Sequence, residues 1–417
     1  MYSSEHKLSR RSLLGAASGT FLGFQVRHLL ALEGTSHPKN AEHVILFWNG
    51  GGMSHIDTWD PKPGRPTQGE FEAIQTSAPG VEISEIFPNL AKQMHHAALI
   101  RSIAGTQGAH ERATYNLQTS YNQAANLIHP GLGSVVAHEK DGLDDLPAYV
   151  TVSGQAPCST YLGQSCEAYF VGNPGERDLS LAFPEGILRE RGNKRLEPLT
   201  RFNCRFATNR NDGKLAATAT SIDDGVRLMR SPALKAFDLD RVPASTLNRY
   251  GDTPFGRGAI LAKQLVETGV RFVQVNRGGF DTHSNNFPAM RNHGSVMDPA
   301  LASLVEDLAD TGMLENTLVV MLSEFGRTPR INDNAGRDHF PSVFSCFMAG
   351  GGIRGGTVVG SSDKNGEKPA ERPVHVPDLH ATLCHALGID STKEVMTPLL
   401  RPMKLVDGGT PIGELFG

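Results

Sequence analysis

The residues of this chain that could do chemistry gather directly after three apolar runs. Val319 to Pro341 reads VVMLSEFGRTPRINDNAGRDHFP, which sets Glu324, Arg327, Asp338 and His339 in a Gly/Pro/Asn-rich stretch behind the run Leu318 to Leu322. VILFWNGGGMSHIDTWDP carries Ser54, His55, Asp57 and Asp60, and RFVQVNRGGFDTHSNN carries Asp281 and His283. Asp281, His283, Glu324 and His339 together offer two imidazoles and two carboxylates. That donor mixture suits Zn, Mn or Fe better than Ca, which prefers oxygen ligands. A divalent metal with an open position brings the pKa of bound water toward neutrality, so an ester could be hydrolysed without a protein nucleophile. Arg327 and Arg112 could clamp an anionic oxygen of a phosphate or sulfate ester.

Such groups converge only if the chain between them folds suitably. The three runs have the length and continuous apolarity of strands buried on both faces. Further strands are expected at Ala98 to Ile103, Leu146 to Val152 and Ser345 to Met348. Helices are expected over Pro88 to Met94 and Glu111 to Tyr121, in RGAILAKQLVETG and DPALASLVEDLADTG, and over Pro377 to Leu387. Helix alternating with strand at this spacing predicts an α/β fold, a mostly parallel central sheet with helices on both faces. In such a sheet the ligand site lies beyond the carboxyl ends of the strands. His110 and Thr106 then fall at a helix N-terminus, which favours an anion. His110 could act as covalent nucleophile, general base or metal ligand, with Thr106 as a reserve nucleophile.

The bulk composition limits the alternatives. Of 417 residues, 39% are hydrophobic and 20% charged, and the net charge of −4 leaves no electrostatic footprint for nucleic acid. Five cysteines without a CxxC exclude a Cys-type zinc site and a disulfide scaffold, although an exported chain could pair two of Cys158, Cys166 and Cys204. Ser9-Arg10-Arg11-Ser12 precedes a short apolar run, Leu13 to Phe24, which fits a twin-arginine signal followed by a linker to about residue 40. The expected location is periplasmic or secreted, with the twin-arginine export machinery as a partner. No later stretch is long and apolar enough to span a bilayer. Residues 41–417 are expected to form one α/β domain. Within it, about 155–250 is rich in Arg, Asn, Asp and Ser and reads as an inserted cap.

The pieces ILFWNGGGM, a helix closing with LQTS, SEFG, a later DH, and VPDLHATLCHALGI resemble the alkaline phosphatase/sulfatase superfamily. Within it, GGGMSHIDTWDPKP, YGDTPFGRGAILAKQLVETGVRFVQV, GFDTH, SEFGRTP and GRDHFP are similar to an uncharacterised, twin-arginine-exported family, over nearly the whole chain after residue 40. The resemblance implies an alkaline phosphatase-like fold and metal ligands at Asp281, His283 and His339. Glu324 stands where that superfamily has an Asp, and Phe325 where it has a His. Its first-strand Asp falls on Gly51, leaving Asp57 as the nearby substitute, with His55 and Asp60 as rivals. Its nucleophile falls on His110. Ala109 to Ala113 reads AHERA and lacks the Cys-x-Pro-x-Arg from which sulfatases make formylglycine.

Two functions follow as expectations. One is an exported, metal-dependent hydrolase of phosphate or sulfate esters, including esters on polysaccharides. The other is a catalytically degenerate relative that serves as an envelope or carbohydrate-binding module.

Overall fold

The computed structural model describes residues 40–143, 145–175 and 225–417, with isolated helical positions at 191, 194 and 198. The chain divides into two compact units, Met1–Lys39 and Asn40–Gly417, and the fold below is that of the second. The twin-arginine run and most of the expected cap lie outside the described residues.

Nine strands make the main sheet: β1 (His43–Asn49), β2 (Ala97–Ala104), β3 (Tyr149–Val152), β4 (Tyr169–Val171), β5 (Phe272–Arg277), β6 (Thr317–Leu322), β7 (Phe344–Ala349), β8 (Val358–Val359) and β9 (Val374–His375). Their spatial order is β8-β2-β7-β6-β1-β5-β3-β4, with β9 also paired to β2. Every pairing is parallel except those of β7, which runs antiparallel to both β2 and β6. The sheet is therefore mostly parallel, and β1, β2, β5 and β6 all end at one edge.

Six α-helices have both ends among the described residues: α1 (His110–Thr119), α2 (Leu132–Glu139), α3 (Ala244–Tyr250), α4 (Pro254–Thr268), α5 (Asn286–Asp310) and α6 (Val376–Leu387). They cover both faces, which is why β1 is buried along its whole length. Ile45 and Phe47 enter one hydrophobic layer with residues of α3, α4 and α5. Val44, Leu46 and Trp48 enter the other with residues of α1, α2 and α6. The period-2 alternation of a strand thus serves two cores at once.

Two elements differ from the sequence expectation for identifiable reasons. The helix expected to start at Asp298 instead begins at Asn286 and passes through Pro299. Asp298 does cap a helix, but another one. Its buried carboxylate accepts from the backbone N–H groups of Asn89 and Leu90, at the start of the helix expected over Pro88 to Met94, which is a 3₁₀ helix, Leu90–His96. Cys158, Cys166, Cys346 and Cys384 are free thiols, so Cys158 and Cys166 are not bonded to each other; Cys204 lies outside the described residues. Among the described residues, no helix is long and apolar enough to cross a membrane.

His380 ties α6 to α1: its Nε2–H donates to the Leu117 carbonyl at 2.8 Å. Burial outweighs that bond and pushes its pKa from 6.5 down to about 4. The unfolded chain takes up this proton near pH 6.5 and the folded one only near pH 4. Stability is therefore expected to fall as pH drops through that window, by about 3 kcal/mol from His380 alone. Buried His43, His55 and His293 shift the same way. Urea titrations at pH 7.5 and 4.5 on wild type and His380→Gln check it, the variant showing the shallower loss.

Candidate functional site

Four loops leave the common strand edge and meet. After β1, the Gly50-Gly51-Gly52 turn folds beneath the loop that follows β5. A Cβ on Gly51 would lie 2.5 Å from the Asp281 backbone nitrogen, and its φ is +119°, so only glycine fits there. The position that the resembling superfamily fills with a carboxylate is thus taken up by backbone. A carboxylate arrives from the next strand instead: Gly51 N–H donates to Glu324 Oε1 at 2.7 Å.

Glu324, buried just past β6, also accepts from His110 Nδ1 at 2.7 Å. A carboxylate can only accept here, so Nδ1 carries the proton of the neutral His110 ring, and Nε2 is the atom turned to the cluster. His283 repeats the arrangement, with Nδ1 2.7 Å from Asp338 Oδ1. His339 Nδ1–H donates to the Gly108 carbonyl at 2.9 Å. All three imidazoles therefore present Nε2, and the three nitrogens surround one oxygen. Asp281 Oδ1 lies 3.3 Å from His110 Nε2, 3.1 Å from His283 Nε2 and 3.1 Å from His339 Nε2, and the last two nitrogens are 3.0 Å apart.

That arrangement fits a cation. Oriented, unprotonated Nε2 atoms with an acceptor behind each Nδ1 are the usual state of metal-ligating histidines. His110 Nε2 is buried with no hydrogen-bond partner. His110, Asp281 and His339 each offer a ligand atom within 4.8 Å of the others. Although burial alone would raise it, the hydrogen bond from Arg327 and the charge of that guanidinium hold the Asp281 pKa down to about 2. Its carboxylate is thus ionised across the physiological range. Phe325, fully buried, packs against the rings of His110 and His339 with centroids 4.9 and 4.7 Å away, giving the cluster an apolar floor.

The other candidates sit elsewhere or act differently. Arg327 is fully buried, and its donors are spent on the Gly51, Gly52 and Arg337 carbonyls and on Asp281 Oδ1 at 2.5 Å. It pins the glycine turn and the aspartate and is not free to clamp a substrate. Glu324 and Asp338 orient His110 and His283 from behind and do not join the converging donor atoms. Asp57 is fully buried in a two-point ion pair with Arg337, at 2.8 and 3.0 Å, and accepts from Asn286 Nδ2 at 2.9 Å. This leaves no room for a metal. Its rivals also bond elsewhere: His55 Nε2 to the Gly366 carbonyl, and Asp60 to Lys62 and Ser362. Thr106 is exposed in the loop before α1 and bonds only Gln107. Arg112 is exposed on α1 with no hydrogen bond or ion pair to a described residue.

Sequence reasoning missed Arg337, Asn332 and the Gly108 carbonyl. Arg337 precedes Asp338 in GRDHFP, yet its partner Asp57 is 280 positions away, and no spacing rule pairs the two. Asn332 donates to the His283 carbonyl at 3.0 Å and braces the loop.

Residues 41–416 match a family model described as "Protein of unknown function (DUF1501)". No curated protein matches the sequence. Among solved structures the chain is similar to the PsFucS1 sulfatase from Pseudoalteromonas sp., with 13% identity and a TM-score of 0.38, covering 87% of this chain and 70% of that one. It is also similar to the phosphonate monoester hydrolase of Agrobacterium radiobacter, with 12% identity and a TM-score of 0.37, covering 90% and 77%. A third is a protein in the alkaline phosphatase superfamily from Vibrio parahaemolyticus, with 10% identity and a TM-score of 0.36, covering 85% and 68%.

Proposed function

This chain belongs to the DUF1501 family, whose description assigns no reaction, and we propose from its own site that it is an exported, metal-dependent hydrolase of phosphate or sulfate esters. The observation that carries this reading is the convergence of three Nε2 atoms on Asp281 Oδ1, each imidazole backed by an acceptor. His110, His283, His339 and Asp281 would hold the ion, and three imidazoles with one carboxylate suit Zn, Mn or Fe. Bound there, a divalent ion would supply Lewis acidity toward the oxygens of an ester. Glu324 fixes the ring plane of His110, Asp338 that of His283, and the Gly108 carbonyl that of His339. Arg327 fixes the Asp281 carboxylate, and Phe325 keeps water from the rear of the cluster. Both nitrogens of His110 are committed, Nδ1 to Glu324 and Nε2 to the cluster, which favours the ligand role over the nucleophile. The Ser9-Arg10-Arg11 signal supports export to the periplasm or beyond.

Among the described residues, no Ser, Thr or Cys side chain bonds to His110, His283, His339 or Asp281, which favours the second reading, a binding module that keeps the fold without turnover. The assay that separates them uses chromogenic aryl phosphate and aryl sulfate. Turnover is expected to vanish on chelation and return with Zn or Mn. Glu324→Gln, which leaves His110 without its charged acceptor, is expected to weaken metal affinity and turnover by about 10–100-fold. Metal-loaded protein inert toward both esters would retire the hydrolase reading in favour of the module.

A further inference from the structure

The loop after strand β5 delivers His283 and Asp281 to the histidine cluster. Arg277, four residues earlier, opens into a separate cavity of about 440 Å³ lined by residues including Ser153, Phe255, Asn276, Gly279 and His293. His293 Nε2–H donates to the Gly279 carbonyl at 3.0 Å, which leaves Nδ1 as the acceptor for Arg277 Nε–H, also at 3.0 Å. The Phe280 ring stacks on His293 with centroids 3.9 Å apart, and the Arg277 guanidinium lies over the Phe255 ring at 5.8 Å. One edge and one face of the guanidinium are therefore fixed.

The remaining edge has no partner among the described residues. Arg277 Nη1 and Nη2 make no hydrogen bond, and no carboxylate lies within ion-pair distance of Arg277 among the described residues. Arg327 and Arg337, two fully buried arginines near the histidine cluster, are each held by an aspartate. Burial pulls the pKa of Arg277 down, and no acidic neighbour offsets it. A half-buried cation without a counter-charge is costly to keep. Four N–H donors in a rigid plane match a carboxylate or sulfate in two-point geometry.

We propose that Arg277 and its cavity form an oxyanion subsite that takes a second carboxylate or sulfate group of the substrate, so that the natural ester is polyanionic. The inference rests on the ester-hydrolase reading for the word substrate, while the anion site itself stands on Arg277 alone. Residues 277 and 281 are at most about 14 Å apart along the chain, which one multiply charged ligand can bridge. Gly278 and Gly279 lead from the cavity wall straight to Phe280 and Asp281.

Titration calorimetry with inorganic sulfate on wild type, Arg277→Gln, Arg277→Lys and Asp281→Asn tests the subsite. Sulfate affinity is expected to fall about tenfold or more in Arg277→Gln, to fall less in Arg277→Lys, and to persist in Asp281→Asn. Equal binding by wild type and Arg277→Gln, or no binding by wild type, overturns the proposal. Binding lost in Asp281→Asn but kept in Arg277→Gln would place the anion at the histidines and overturn it too. The kinetic arm compares an aryl sulfate with the same ester bearing a ring carboxylate. Arg277→Gln should raise KM about tenfold for the carboxylated ester only, and Arg277→Lys should recover part of that. If neither ester is turned over, the hydrolase reading fails while the sulfate titration still decides the subsite. Should Arg277→Gln fail to fold, Arg277→Lys carries the test, and wild-type affinity in it for sulfate and for the carboxylated ester overturns the proposal.

Discussion

Asp281→Asn is expected to lower metal affinity and ester turnover by at least about a hundredfold while leaving the protein folded. Among the described residues, Asp281 supplies the only carboxylate oxygen that all three Nε2 atoms face. Repositioning a ligand from behind typically costs 10–100-fold, and neutralising the charged ligand itself costs more. The fold should survive because the Asp281 side chain is 48% exposed, and an amide oxygen can still accept from Arg327. Arg327 also keeps its bonds to the Gly51, Gly52 and Arg337 carbonyls. Equilibrium dialysis against Zn, with a circular dichroism melt on the same sample, separates the two effects. A folded variant that binds metal as well as wild type would place the ion elsewhere.

The opposite pattern is expected at Asp57. Both members of the Asp57–Arg337 pair are fully buried, and Arg337 further donates to the Thr67, Thr328 and Pro329 carbonyls. Removing one partner of such a pair leaves a buried charge uncompensated, which costs about 3–5 kcal/mol. Asp57→Ala should therefore lose that much stability in a urea melt, and the fraction that remains folded should bind metal normally. The pair joins the loop after β1 to the loop that carries His339, so its role is to hold the cluster's frame. Arg337→Met with Asp57→Leu should recover part of the loss, since apolar replacement of both partners removes the unpaired charge. Normal stability in Asp57→Ala together with lost metal would return Asp57 to the ligand set.

The strands were legible because burial on both faces writes a continuous apolar run, and β1, β5 and β6 carry one each. The site edge was legible for the same reason: in a parallel sheet the carboxyl ends coincide, so Asp281, His283, Glu324 and His339 had to lie near one another. What the sequence could not distribute was their roles. Glu324 and His339 both follow β6, yet one backs a histidine and the other faces Asp281, a difference set by the hairpin that pairs Gly326–Arg327 with His339–Phe340. Spacing likewise cannot tell an arginine that binds substrate from one that binds backbone. Arg327 looked free in the chain and is buried and bonded to backbone and Asp281 in the fold, whereas Arg277, unremarked within RFVQVNRGG, keeps an edge with no partner among the described residues. The displaced start of α5 has the same origin: Asp298 before Pro299 is a sound helix-start signal, and tertiary contact with Asn89 and Leu90 used the carboxylate for a different helix.

The central claim is that three imidazoles and Asp281 enclose one metal ion. Crystals of the protein grown with Zn, measured on both sides of the Zn absorption edge, test it most directly. A single strong anomalous peak is expected, bonded to the Nε2 atoms of His110, His283 and His339 and to Asp281 Oδ1, with Glu324 and Asp338 still behind their histidines. No peak at that point in a Zn-saturated crystal, or a peak held by Asp57 or Glu324 instead, would contradict it.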